Sequence, residues 1–175
     1  MSPESTASDY VQFLSRTLGF IEPIEELLHS QSVAALTTPL WAPNAKRAPL
    51  IKQDLESMGM SLAEIAALPR MAKLPSVETT GQMMGVSYVI EGSMMGGLVL
   101  AKQVKKHLSL DESVMSFFLP EEPKSVAGRF EQFAHAFDGF ARCSCEEEQA
   151  LAAAHQTFEL VYEWFNANRP AVDTL

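Results

Sequence analysis

The chain has 175 residues, of which 47% are hydrophobic, and a formal net charge of −9 at pH 7. This length and hydrophobic content suit one globular domain with a sizeable core and exclude a largely disordered chain. The acidic balance argues against a nucleic-acid-binding protein, which would need a basic surface.

The first predicted helix follows from apolar residues spaced three and four positions apart. These residues are Tyr10, Phe13, Leu14, Leu18, Ile21, Ile24 and Leu28. The spacing places them on one face of a helix, and Pro23 is expected to kink or restart that helix. Residues 1–9 show no helical pattern, and we expect them to be extended or disordered.

The middle of the chain predicts an irregular connection followed by three helices. Residues 37–49 contain three prolines and read as a connection. Residues 49–58 then predict a short helix. A second one begins at Ser61 and Glu64, whose S-x-x-E spacing is typical of a capping box. A long apolar helix is expected from about residue 75 to about residue 108.

The C-terminal third predicts further helices. Asp111 can cap a short one, and Ser125 can cap the next. Ser144 and Glu147 repeat the capping-box spacing, and the helix that follows ends before Pro170. No run alternates in the way of a strand, so we expect an all-α helical bundle.

The N-terminus, the apolar runs and the cysteines indicate the cellular compartment. The N-terminus lacks the regions of a signal peptide, and no uninterrupted apolar run reaches the roughly 18 residues of a membrane span. Cys143 and Cys145 stand two positions apart, and residues that close rarely bridge, so we expect no disulfide. We therefore expect a cytoplasmic protein without membrane contact.

Glycines interrupt the long predicted helix at positions 92, 96 and 97. A glycine inside a helix costs about 1 kcal/mol relative to alanine, so their clustering requires a reason. One explanation is the close approach of another helix, in which case a leucine at Gly96 should destabilise the fold. The other is that the bare backbone lies against a large flat ligand, over which Ser93 offers a hydroxyl group or holds a water.

The stretch from Gly85 to Gly97, written G-x-x-Y-V-x-E-G-S-x-x-G-G, resembles the distal helix of bacterial heme oxygenases. The segments around Tyr10–Leu14, Gly19–Glu25 and Lys46–Ile51 resemble other parts of that family, in particular its bacteriophytochrome-linked members. The C-terminal TFELVYEWF also fits, so the resemblance covers roughly residues 10–168. It implies a single heme-oxygenase-like domain over residues 10–170.

In that family the glycine helix covers one face of heme and leaves room for bound oxygen. The resemblance therefore implies that Gly92, Ser93, Gly96 and Gly97 line the distal face of a heme site. The family's axial ligand is a histidine on a first helix, before the segment that Tyr10 begins. Since no histidine precedes Tyr10, we expect that helix to be absent. We then expect no cofactor and no heme cleavage, and the fold would serve as a binding or regulatory module.

Two alternatives stay open. The first is an active heme oxygenase that converts heme to biliverdin, with His135 as an unusual axial ligand and with Tyr88 and Arg129 as further candidate contacts to heme. The second is a di-iron oxidase, a class that also occurs on this fold. Its candidate ligands are Glu26 and His29, at E-x-x-H spacing, and the i, i+4 pair His155 and Glu159. Further carboxylates on facing helices would be needed.

A missing first helix also predicts a partner. The apolar stripe from Tyr10 to Leu28 and the side of the glycine helix that carries Met94 and Met95 would be left exposed. A monomer rarely tolerates so large an apolar surface. We therefore expect a two-fold symmetric homodimer through this groove, or a groove that holds a tetrapyrrole or another protein.

Overall fold

The structure is a computed structural model that describes residues 5–30, 46–108, 110–118, 123–141 and 143–167. Helices dominate these ranges, and no strand occurs within them. The helices are α1 (Ala7–Leu28), α2 (Ala48–Ser57), α3 (Leu62–Ala67), α4 (Thr80–Leu108), α5 (Pro123–Phe140) and α6 (Ser144–Ala167), with a 3-10 helix at Glu112–Val114. The predicted all-α class is confirmed. The predicted connection over residues 37–49 lies mostly outside the described residues.

α1 is longer and more regular than the sequence suggested. It begins at Ala7, where Thr6 and Asp9 form a capping box, so residues 7–9 are helical rather than extended. It also continues through Pro23 to Leu28 without interruption. The capping box satisfies backbone donors at the helix start, which explains why a segment without an apolar pattern is helical.

The apolar stripe of α1 lies inside the core. Tyr10, Leu14, Leu18, Ile21 and Ile24 are fully buried, and Leu28 is nearly so. Two later parts of the chain pack on α1. The Tyr10 hydroxyl donates to the Val114 carbonyl at 3.1 Å, and the Trp164 indole N–H donates to the Arg16 carbonyl at 2.9 Å.

The expectation that this stripe forms an exposed groove is therefore wrong. Met94 is also buried, whereas Met95 is exposed. The homodimer stays a prediction, but the α1 stripe cannot supply its interface, because the chain itself already covers that surface.

α4 and α6 form the tightest helix pair of the bundle. A Cβ atom at Gly85 would lie 2.1 Å from the Ala150 carbonyl oxygen, and one at Gly81 would lie 2.6 Å from the Glu146 carbonyl oxygen. Both distances are far below van der Waals contact, so the two backbones meet only because these residues have no side chain. The close approach of α6 thus explains Gly81 and Gly85, but not Gly92 and Gly96, where no described atom lies within 4 Å of the Cβ position.

α4 is long and apolar enough, by length and composition alone, to cross a membrane. However, 56% of its apolar stretch is buried within the bundle, and the core helix of a soluble protein has the same features. The absence of membrane contact stays a prediction.

The expectation for the cysteines is wrong. A disulfide joins Cys143 to Cys145 at the start of α6. Glu146 and Glu147 follow it in the first turn of that helix, where their charges favour the positive end of the helix dipole.

A pair of alanine substitutions tests the α4–α6 contact. Gly85→Ala should lower the free energy of unfolding by about 1–3 kcal/mol, because the new methyl group overlaps the α6 backbone. Gly96→Ala is the matched control, since no described atom lies within 4 Å of its Cβ position. It should raise the free energy of unfolding by up to about 1 kcal/mol through helix propensity. Urea denaturation measures both, and an equal loss in the two variants would contradict the packing described.

Candidate functional site

One face of α4 is open to ligands. Tyr88, Gly92, Met95, Gly96 and Val99 lie within one side of the helix, which we call the open face. A Cβ atom at Gly92 or Gly96 would meet no described atom within 4 Å. Tyr88, Met95 and Val99 are exposed. The result is a strip of bare backbone bordered by apolar side chains.

The open face continues the side of α4 that α6 covers. Gly81, Gly85, Gly92 and Gly96 follow one another at spacings of four, seven and four, which keeps them on one side of the helix. α6 contacts the backbone at the first two and leaves the last two uncovered. Since no described helix packs on Gly92 or Gly96, the close-approach explanation does not hold for them. The described structure therefore does not support the packing argument for a loss of stability with a leucine at Gly96.

Gly97 and Ser93 differ from the other residues of the glycine motif. Gly97 is buried on another side of α4, where its Cβ position lies 3.2 Å from the Phe118 ring, so it serves packing. The Ser93 hydroxyl is exposed and donates to the Ile90 carbonyl at 2.7 Å. Its oxygen still has a lone pair to offer, but the proton is used within the helix.

Directly beside the open face lies a buried ionic cluster, which we call the Glu91 cluster. Arg47 Nη2 donates to Glu91 Oε2 at 2.6 Å. Arg129 donates to the same carboxylate through Nε at 3.0 Å and Nη2 at 2.8 Å. Glu91 and Arg47 are both buried, and burial lowers the pKa of Arg47 against the opposing effects of Glu91 and Glu25. The Glu91 carboxylate on α4 thus binds two guanidinium groups, that of Arg47 at the start of α2 and that of Arg129 on α5.

Glu25 extends the cluster to α1. Its two carboxylate oxygens accept the backbone N–H groups of Arg47 at 2.7 Å and Ala48 at 3.1 Å. These donors lie at the N-terminus of α2, where a negative charge is favourable. Burial raises the pKa of Glu25, although the two backbone hydrogen bonds oppose this. The sequence reasoning missed Glu25, Arg47 and Glu91 as one group. The only signal was Glu91 itself, the one acidic residue of α4, which stands among apolar neighbours.

The residues predicted to contact heme are distributed over α4 and α5. The Tyr88 ring lies 5.7 Å from that of Phe137 and 6.4 Å from that of Phe133, measured between centroids. Arg129 is held by Glu91 rather than projecting as an independent cation. His135 is exposed on α5. Arg129 therefore contacts α4, the helix that carries Tyr88. His135 instead lies on the surface of α5.

The predicted di-iron ligands lie on separate helices. At the end of α1, Glu26 is exposed, and His29 Nδ1 donates to the Glu25 carbonyl at 2.6 Å. On α6, His155 and Glu159 form an exposed pair with 3.5 Å between Nδ1 and Oε1. Across the described ranges, no three residues among His, Cys, Asp and Glu come together as a possible metal site.

Comparison with known proteins gives one family. The chain matches a family model described as heme oxygenase over residues 2–167. A protein named heme oxygenase from Xanthomonas campestris pv. campestris (strain 8004) is 30% identical over 126 residues, which covers 71% of each chain. No solved structure matches the chain significantly.

Removing one charge tests the Glu91 cluster. Glu91→Gln keeps the shape of the side chain but leaves two guanidinium groups without their shared carboxylate. The free energy of unfolding should fall by about 3–5 kcal/mol. Glu163→Gln is the control, because its ion pair with Lys73, at 3.9 Å, is exposed, and it should change that energy by less than about 1 kcal/mol. Similar values for the two variants in chemical denaturation would show that the cluster does not hold the helices together.

Proposed function

The chain belongs to the heme oxygenase family, and we propose that it is a binding or regulatory module that holds a flat tetrapyrrole against the open face without a histidine on the metal. The observation that supports this proposal is the uncovered backbone at Gly92 and Gly96. Two glycines that cost helix propensity and whose Cβ positions meet no described atom are best explained by a ligand.

The residues present fit part of a heme and not all of it. Tyr88, Met95 and Val99 provide exposed apolar contacts along the bare backbone, as a porphyrin ring requires. The carboxylates of heme need cations, yet Arg129, the predicted candidate, already donates two hydrogen bonds to Glu91. The open face therefore suits the porphyrin ring. The described arginine, Arg129, suits the heme carboxylates less well, because it is already bound to Glu91.

The histidines give no ready axial ligand. The chain has four. His29 bonds to Glu25 within α1, and His107 bonds to Gln103 within α4. His135 and His155 are exposed on α5 and α6. Axial ligation requires an imidazole fixed over the metal, and no described contact fixes one of these side chains beside the open face. We therefore assign no chemical step to an iron.

A second candidate is an active heme oxygenase that opens heme to biliverdin. It is favoured by the open face itself, because the family uses this helix to cover heme while leaving room for oxygen. In this case heme is both substrate and cofactor, and His135 is the proposed axial ligand. The two candidates differ in whether an imidazole binds the iron and whether the ring is cleaved.

Titration with hemin separates the candidates. If hemin binds, we expect a broad Soret band that is the same in the wild type and in His29→Ala, His107→Ala, His135→Ala and His155→Ala. Ascorbate should produce no biliverdin absorbance, because the ring is held but not activated. A sharp Soret band that saturates at one equivalent and is lost in one of these variants would overturn the proposal. Biliverdin formation would establish the enzyme instead, with the Xanthomonas relative as the assay's positive control.

A further inference from the structure

The outer side of α6 carries exposed apolar residues in a line. Leu151 is 73% exposed, Phe158 55% and Tyr162 72%. Their spacing of seven and four residues places them on one side of the helix, over roughly 16 Å of its axis. We call these three residues the α6 stripe. Large apolar side chains that cluster on a surface mark an interaction site, whereas single ones do not.

A groove between α5 and α6 adjoins the stripe at its N-terminal end. It has a volume of about 570 Å³, and it shares Leu151 with the stripe. Its walls include the aromatic rings of Tyr88, Phe137 and Phe140. Rigid aromatic walls next to an exposed apolar ridge provide the kind of surface on which an amphipathic helix lies.

Carboxylates dominate the borders of the stripe, although Lys73 pairs with Glu163 of α6 at 3.9 Å and His155 with Glu159 at 3.5 Å. α6 contains five glutamates and neither lysine nor arginine. By helical geometry Glu147 flanks one side of the stripe, and Glu148 and Glu159 flank the other. Asp138 of α5 and Glu147 both line the aromatic groove. The apolar stripe therefore lies between acidic borders.

We propose that the α6 stripe and the aromatic groove bind an amphipathic helix of a partner protein whose flanks are basic. Its apolar residues would contact Leu151, Phe158 and Tyr162, and its lysines or arginines would pair with Asp138, Glu147 and Glu148. Complementary charge of this kind sets partner choice and orientation. A second copy of this chain is a poor occupant, because it would bring two acidic borders together at a net charge of −9 per chain. The proposal does not depend on tetrapyrrole binding.

The probe is a fluorescently labelled peptide of about 14 residues, with leucines on one helical face and lysines elsewhere. Fluorescence anisotropy should show saturable binding to the full chain that weakens as ionic strength rises. A peptide with glutamates in place of the lysines should not bind. A peptide of the same composition with its leucines scattered around the helix should bind at least about tenfold more weakly, because it has no single apolar face.

Variants locate the peptide on the protein. Phe158→Ser should weaken binding at least about tenfold, and Asp138→Asn combined with Glu147→Gln should weaken it about threefold and flatten the salt dependence. Leu62→Ser and Glu56→Gln are matched controls on α3 and α2. Leu62 is 69% exposed, and Glu56 is exposed, so both controls should leave the affinity unchanged. The charge variant keeps the test valid even if Phe158→Ser folds poorly.

Three results would overturn the proposal. The first is equal binding of the ordered and scattered lysine peptides, which would indicate charge attraction alone. The second is unchanged affinity in both Phe158→Ser and the charge variant. The third is a dimer in light scattering, at twice the 19.2 kDa chain mass, that Phe158→Ser dissociates. That result would assign the α6 stripe to a second copy.

Discussion

Glu91 places one of the few buried carboxylates of the described bundle next to the open face, and the helices around that face converge on it. Arg47 reaches it from the start of α2 and Arg129 from α5, while Glu25 of α1 binds the backbone of Arg47. A buried carboxylate is costly unless it is paired. The two arginines offset this cost for Glu91, and the backbone N–H groups of Arg47 and Ala48 offset it for Glu25. Because Glu91 directly precedes Gly92, the same cluster fixes where the bare backbone of α4 lies relative to α5.

The helical class and the rough order of the helices could be predicted from the sequence because apolar spacing and capping residues act locally. Thr6, Pro23 and Cys143 show where this reasoning fails. A capping box extended α1 toward the N-terminus, a proline was accommodated within a packed helix, and two cysteines separated by one residue paired. The burial of the α1 stripe was also missed, because it depends on later parts of the chain that pack on α1, among them α2 and α4. Spacing shows that a face is apolar, but not what covers it.

The glycines of α4 serve different purposes at different positions along the helix. Gly81 and Gly85 meet α6, whereas Gly92 and Gly96 on the same side of α4 meet no described atom. The spacing of these four glycines predicts that they lie on the same side of α4. It does not predict where along that side the contact with α6 ends. The candidate site is thus an uncovered continuation of a packing surface. It is largely apolar, while the α6 stripe is bordered by acids, so the two surfaces suit different ligands.

The most direct test of the tetrapyrrole proposal is the binding of iron-free protoporphyrin, which avoids any question of an axial ligand. Fluorescence titration should show one-to-one binding to the wild type. Gly96→Leu should weaken it at least about tenfold, a loss of about 1.4 kcal/mol or more, because the side chain occupies the bare strip without disturbing the core. Ala66→Leu, on the exposed side of α3, controls for added bulk and should bind like the wild type. Undiminished binding by a folded Gly96→Leu variant would contradict the assignment of the open face as the ligand site.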